Sequence, residues 1–336
     1  MTLRIGFVGC GLIAQSHASR LSGVDGADIV AVHDISSERA DAFAEAHGAI
    51  TVPSSDAVIE QSDAIYVTTW TSEHPRLVAD VASAGKPVFC EKPLGVDLAS
   101  AQSMFADVAA AGVTNQVGLV LRHSPSFRVL QHHLHSERSG DRMSLVFRDD
   151  QFIPIQGMYA STWRSDVSKA GAGALLEHSI HDLDLIEWMM GRIERVSCVT
   201  KNFHGIEGIE DQATVLLTAA DGSTTSLSST WHDVVSRPSQ RYVEAFCRNV
   251  MLTNTGDWNG PLTIQTSEGD PVSYSDAELI EMSSELGGGH NPDADFVSAV
   301  LEGRPAFPDF AVALRAHELA DAAYRSAAED GAPVEV

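Results

Sequence analysis

Residues Leu3-Arg4-Ile5-Gly6-Phe7-Val8 read as a short apolar strand, and Gly9-Cys10-Gly11-Leu12-Ile13-Ala14 follow it directly and open a helix. No other feature of the chain constrains its fold as much. Two glycines at this spacing allow a tight strand-to-helix turn whose backbone can approach a pyrophosphate at the helix N-terminus, with Leu12 and Ile13 beginning the helix. Asp34 ends a second apolar run, residues 29–32. It stands at about the 20-residue distance where a carboxylate hydrogen-bonds the adenine ribose hydroxyls. An acid there repels a 2′-phosphate, so NAD is favoured, while Ser36, Ser37 and Arg39 stand near enough to leave NADP possible.

The same rhythm continues. Short apolar runs at 5–8, 29–32, 64–68, 87–90 and 117–121 alternate with Ala-rich amphipathic segments, which is the βαβ pattern of a doubly wound parallel sheet. From Met143 onward, strands with alternating polarity at 196–203, 213–219 and 224–231 follow one another across turn signals such as Ala220-Asp221-Gly222. The expected fold is therefore an α/β Rossmann domain, residues 1–122, followed by an α+β domain with an open, mostly antiparallel mixed sheet, residues 123–336. Helices are expected at 174–190, 292–301 and 310–328, all within the second domain.

Composition narrows the partners. With 46 acidic against 22 basic residues the formal charge is -24, which repels nucleic acid and anionic lipid, so neither nucleic acid nor membrane is expected. Cys10, Cys90, Cys198 and Cys247 lack the paired spacing of a zinc or redox site. Reduced thiols, the absence of a leader before the first strand and the absence of a membrane-length apolar run all point to the cytoplasm.

Two further constellations carry chemistry. Glu91-Lys92-Pro93 follows the run 87–90, at the carboxyl end of a parallel strand where open α/β sheets place their ligands. An amine there can polarise a substrate hydroxyl beside a cationic nicotinamide, or serve only as a surface lysine in a proline-stopped turn. In the helix at 174–190, Leu176, Ile180, Leu183, Ile186 and Met190 form an apolar stripe. Beside it Glu177, His181 and Asp184, at offsets of four and three, read as one face on which a carboxylate orients an imidazole that moves a proton. The preceding Ala170-Gly171-Ala172-Gly173 brings backbone close to a neighbour. Glu177, His178, His181 and Asp182 are potential metal donors, but His178 and His181 point in different directions and no metal is expected. His132, His133 and His135 read as part of a polar, solvated helix, and His232 as structural. Trp163-Arg164 can line a pocket.

Taken together, Gly9 to Ala14, Asp34, Thr69 through His74, Glu91-Lys92-Pro93, Trp163-Arg164 and the segment 171–191 resemble the Gfo/Idh/MocA oxidoreductases. The resemblance implies nicotinamide and substrate at a cleft between a Rossmann domain and an open-faced sheet. It places the lysine of the Glu-Lys-Pro motif on Lys92 and the histidine of an Asp-x-x-x-His motif on His181, with Glu177 where the family usually has aspartate. Trp70 stands where the family usually has proline, and Ser179 where it has glycine. Cofactor contacts are then expected from Gly9, Gly11, Leu12, Ile13, Asp34, Thr69, Trp70, His74, Glu91 and Lys92, and substrate contacts from Arg122, Trp163, Arg164, His178 and Asp184. The implied activity is reversible oxidation of a secondary ring hydroxyl of a sugar or cyclitol, the segment 180–184 being similar to that of inositol dehydrogenases, in a homodimer or homotetramer. A dinucleotide-binding sensor without turnover, or a lyase or glycosidase that recycles its nicotinamide, are the rival readings.

Overall fold

The computed structural model describes residues 2–287 and 289–336; Met1 and Gly288, which fall within the expected domains, lie outside the described residues. The chain divides into two compact units: residues 1–119 with 291–314, and residues 120–290 with 315–336. The first boundary falls close to the expected one at 122. The C-terminal segment departs from expectation, because helix Pro292–Glu302 packs in the first unit rather than the second. Its Phe296 and Val297 join the core that holds Phe7, Tyr66 and Phe89, an association of side chains some 200 residues apart that no local pattern announces.

In the first unit the strands are β1 (Leu3–Val8), β2 (Ala27–His33), β3 (Ile50–Thr51), β4 (Ala64–Val67), β5 (Val88–Cys90) and β6 (Asn115–Val117). Among the described residues they form one parallel sheet in the order β3-β2-β1-β4-β5-β6, with the order reversing at β1. Ile65, Tyr66 and Val67 are fully buried, which is why this strand reads as a continuous apolar run rather than an alternating one. β3 has only two residues, both exposed, and leaves no apolar signal in the sequence. The expected run 117–121 is displaced: β6 ends at Val117, and residues Val120–His123 form a helical turn.

The second unit contains β7 (Arg142–Phe152), β8 (Ile193–Lys201), β9 (Gln212–Ala219), β10 (Thr224–His232), β11 (Gln240–Cys247), β12 (Val250–Asn254), β13 (Leu262–Thr266), β14 (Val272–Tyr274) and β15 (Val334–Glu335). They pair in the order β14-β13-β12-β11-β7-β10-β9-β8-β15. Only the β7–β10 pair is parallel among these described strands, so the sheet is mixed and mostly antiparallel. Alternation in β9, β10 and β11 buries every second residue, as expected of a sheet with one covered face. Helix Pro125–Leu134 is amphipathic rather than polar: Phe127, Val129, Leu130 and Leu134 are buried beneath its histidines.

The long helix expected at 174–190 is two elements. Ala174–His178 is a wide turn in which the Ser179 N–H donates to Ala174 O, five residues back, at 2.9 Å, and Ile180–Met190 is a regular α-helix. The expected stripe is buried throughout, but so are Asp182, Asp184 and Leu185 on the other sides, because the helix is enclosed. Wide turns of this kind gather at functional sites, since they rotate side chains out of helical register.

Candidate active site

The nucleotide-binding features lie in the first unit. Gly9 has φ +95°, and a Cβ there would stand 2.7 Å from Thr68 C and O, so only glycine fits between β1 and the end of β4. Around Gly11, in contrast, a Cβ would meet nothing within 4 Å. Gly11 caps helix Leu12–Leu21, which has neither a side-chain cap nor an acidic residue in its first turn. Its leading N–H groups and the positive end of its dipole therefore face open space, as a pyrophosphate requires. Leu12 and Ile13 are exposed there. Burial pushes the Cys10 thiol up to about 12, with Asp34 adding to the effect, so this cysteine stays neutral within the turn.

Asp34 follows β2 and is tied into the same turn. Its Oδ2 accepts from the Cys10 N–H at 2.9 Å, and its Oδ1 accepts from the Ser36 N–H at 2.8 Å and from Arg39 Nη2 at 2.8 Å. Burial acts to raise its pKa, but the Arg39 and backbone hydrogen bonds win and hold it below the usual carboxylate value, so Asp34 stays charged. Thr69 and Trp70 follow β4 and are partly buried. His74, expected at the cofactor, is almost fully enclosed: its Nδ1 lies 3.0 Å from Pro93 O and its Nε2 3.2 Å from Thr69 O. It clasps the Thr69 loop to the Lys92-Pro93 loop. Glu91 is buried, and a Cβ on Gly118 would stand 2.2 Å from its Oε1, so the glycine makes room for the carboxylate.

The second unit carries the expected proton-transfer residues on and just after the wide turn. That turn has an explicit cause. The Glu210 carboxylate accepts from the Gly173 N–H at 2.8 Å, the Leu175 N–H at 2.9 Å and the Tyr324 hydroxyl at 2.8 Å. Gly173 approaches so closely that a Cβ would stand 1.8 Å from Glu210 O, as the Gly-rich approach predicts. Burial pushes the Glu210 carboxyl upward against these hydrogen bonds.

From the turn, Glu177 accepts from Arg164 Nε at 2.6 Å, and the Arg164 guanidinium lies 4.5 Å from the centroid of Trp163. His178 Nε2 is 2.9 Å from Asp149 Oδ2. His181 lies in the first turn of the following helix and is buried, 9% exposed. Asp184 lies one turn beyond His181 in the same helix and is paired elsewhere. Three hydrogen bonds of 2.6–3.1 Å join it to Arg122, whose guanidinium also lies over Trp188, so these two expected substrate residues are engaged with each other. Burial raises the Asp184 carboxyl, and Arg122 opposes the rise.

Beneath the turn lies a charge cluster that sequence reasoning missed. Arg241 Nε donates to Asp182 at 2.7 Å, Nη2 lies 3.4 Å from Asp149, and Nη1 donates to Asp257. The Ser179 hydroxyl bonds Ser229 at 2.6 Å and Asp149 at 3.2 Å. Burial would raise both aspartates; Arg241 and His178 hold Asp149 well below its ordinary value, whereas burial and the adjacent Asp149 keep Asp182 well above. Of the two carboxyls, Asp182 is thus the one pushed toward its neutral form, and Asp149 the one held toward its charged form. The only local hint was the polar run Arg148-Asp149-Asp150-Gln151 inside an otherwise alternating strand. Among the described residues, no group of three or more histidine, cysteine or acidic side chains is placed to hold a metal ion, and no helix is long and apolar enough to cross a membrane.

Comparison with known proteins identifies the family. Residues 3–119 match the oxidoreductase family with an NAD-binding Rossmann fold, and residues 127–252 match the GFO/IDH/MocA C-terminal domain. The chain is 28% identical to inositol 2-dehydrogenase of Rhizobium meliloti over 339 residues, covering 98% of each. Among solved structures it resembles GenD2 from gentamicin A biosynthesis in complex with NAD, at 26% identity and a TM-score of 0.84, covering all of this chain and 96% of that one. It shares its fold with levoglucosan dehydrogenase in complex with NADH and levoglucosan, at 20% identity, a TM-score of 0.88 and full coverage of both chains.

Proposed function

The chain belongs to the Gfo/Idh/MocA oxidoreductases and is an NAD-dependent dehydrogenase, and from that premise we propose that it oxidises a secondary ring hydroxyl of a sugar or cyclitol. The observation that carries this reading is the wide turn of the second unit. It brings out Glu177, His178 and His181 within five residues and holds the first two on charged partners, Arg164 and Asp149. Fixed polar groups of this kind suit a ligand rich in hydroxyls, and the full-length similarity to an inositol 2-dehydrogenase supports a cyclitol.

Oxidation of a CH–OH group removes a hydride from carbon and a proton from oxygen. The turn at Gly9–Ile13 and Asp34 would hold NAD, which when bound would supply the acceptor for the hydride. Lys92 donates a hydrogen bond to the hydroxyl oxygen and makes its proton more acidic. His181 takes that proton on its imidazole. Glu177, charge-balanced by Arg164, fixes the local field beside the histidine, while Trp163 and His178 contact the ring. Reversal reduces the ketone. The cytoplasm and a homodimer or homotetramer belong to the same reading; exposed Val146 and Leu216 on the sheet suit a subunit contact, which light scattering tests.

The decisive experiment follows reduced nicotinamide after mixing the protein with NAD⁺ and a panel of cyclitols and aldoses, beside Lys92→Ala and His181→Ala. A general acid or base contributes about two to four decades of rate, so each variant should lose that much turnover while binding NAD⁺ nearly as well. Undiminished turnover in either variant removes that residue from the mechanism.

A further inference from the structure

His17 lies in the first unit on the helix that begins at the nucleotide-binding turn, and it is fully buried. Its Nδ1 is 2.6 Å from Asp293 Oδ1 and its Nε2 is 2.9 Å from Glu91 Oε1. Phe89 and Tyr66 pack against its ring at centroid distances of 4.7 and 5.5 Å. We propose that His17 is a positioning residue for Lys92, a bridge that fixes and neutralises the Glu91 carboxylate immediately before it. The inference rests on the reading of Lys92 as the group that polarises the substrate oxygen.

The geometry sets the charge. Carboxylate oxygens accept, so hydrogen on both ring nitrogens satisfies Glu91 at Nε2 and Asp293 at Nδ1, where the Asp293 oxygen at 2.6 Å lies nearer than the Arg20 donor at 2.9 Å. Burial alone would drive the proton off His17, but its hydrogen bonds to Asp293 and Glu91 outweigh burial and raise its pKa. The charged and titratable groups facing it are Glu91 from the end of β5, Asp293 from helix Pro292–Glu302, Tyr66 from β4, and Arg20 from its own helix. Arg20 Nη2 lies 2.9 Å from Nδ1 while Arg20 Nε donates to Asp293 Oδ2 at 2.5 Å. Two cations thus meet two anions, and the cluster is neutral. Asp293 keeps Arg20 if the histidine charge is lost, whereas Glu91 is left as a buried, uncompensated anion. Glu91 Oε2 also accepts from the Lys92 N–H at 3.3 Å, so the same carboxylate sets the backbone from which the lysine projects. An unneutralised anion there holds the proton on Lys92 more tightly and ties the ammonium down.

The chain has only four lysines, Lys86, Lys92, Lys169 and Lys201, so pulse acylation of the full-length protein followed by mass spectrometry reads Lys92 individually. In His17→Gln, the pH of half-maximal Lys92 labelling should rise by about half a unit or more, and kcat should fall by about tenfold with substrate KM and NAD⁺ affinity within about threefold. Glu91→Gln added to His17→Gln removes the stranded charge and should return the labelling pH to the parent value. Should His17→Gln fail to fold, Glu91→Gln alone should move the labelling pH downward. Labelling curves that coincide in the folded variants and the parent overturn the proposal, whatever happens to kcat. Labelling that shifts while kcat stays constant upholds the link from His17 to Lys92 and overturns the catalytic reading of Lys92 instead.

Discussion

The turn at Gly9–Ile13 and the turn at Gly173–His178 begin alike, with a glycine pressed against backbone ahead of a helical segment, and they end in opposite conditions. Gly9 packs on Thr68 and Gly173 on Glu210. At the first turn no side chain caps the helix and the leading N–H groups face open space. At the second, Glu210 fills the equivalent donors with a carboxylate of the chain itself. The first turn is built of backbone and completed by a ligand. The second is completed from within, by buried charge, and presents side chains instead. Glycine spacing thus reports a close approach in both places, and only the state of the donors behind it separates a binding turn from a structural one.

If the second turn depends on buried charge, the largest effect should come from breaking that charge. Arg241→Met leaves Asp149 and Asp182 without their cation and should cost about 3–5 kcal/mol of unfolding free energy, the range for removing one partner from a buried ion pair. Denaturant titration checks it; a loss below about 1 kcal/mol would mean that the two aspartates share a proton stably without the arginine. Next in size is Gly173→Ala, whose methyl has no room beside Glu210 O. Overpacking against backbone costs about 3 kcal/mol, and a lowered unfolding midpoint with unchanged m is the expected signature.

This contrast also explains what the sequence made legible. Gly9, Gly11 and Asp34 act through local turn chemistry and a short βαβ spacing, so fold class, cofactor turn and the helix at 310–328 could be read from neighbours along the chain. Glu210, Asp149 and Arg241 reach the wide turn from three different strands or loops. No pattern within residues 170–190 specifies them, and so a straight helix with Glu177, His181 and Asp184 on one face was the natural expectation. The return of helix Pro292–Glu302 to the first unit is hidden for the same reason: it rests on pairings such as His17 with Asp293 and Gln116 with Pro292 O.

The protonation of the Asp149–Asp182 pair supplies a pH test. Asp182 has a raised folded pKa, so the stability linked to its neutral form is fully present below the unfolded value of about 3.9 and is lost as pH climbs through the folded value. Asp149 is lowered and behaves oppositely, its contribution being present above about 3.9 and lost in acid. Asp182→Asn keeps a neutral hydrogen-bond donor and removes only the first dependence. The stability difference, variant minus parent, should therefore rise with pH above about 4, by at most one proton's slope, about 1.4 kcal/mol per unit. A difference that stays flat from acid to neutral pH would show that Asp182 is already ionised in the native protein.

The smallest effect is the most discriminating. Gly11→Ala adds a methyl where nothing lies within 4 Å, on backbone with φ -77° and ψ -170° that any residue adopts. The folded chain should scarcely register it: replacing glycine by alanine at a helix N-cap costs well under about 1 kcal/mol. A bound pyrophosphate, however, needs that space to reach the helix N–H groups, so NAD⁺ affinity should fall about tenfold, or about 1.4 kcal/mol, by titration calorimetry. An affinity left intact would mean that the dinucleotide does not approach the chain at Gly11. Stability lost instead of affinity would mean that this turn, like the one at Gly173, is closed by the protein itself, and the distinction between the two turns would fall.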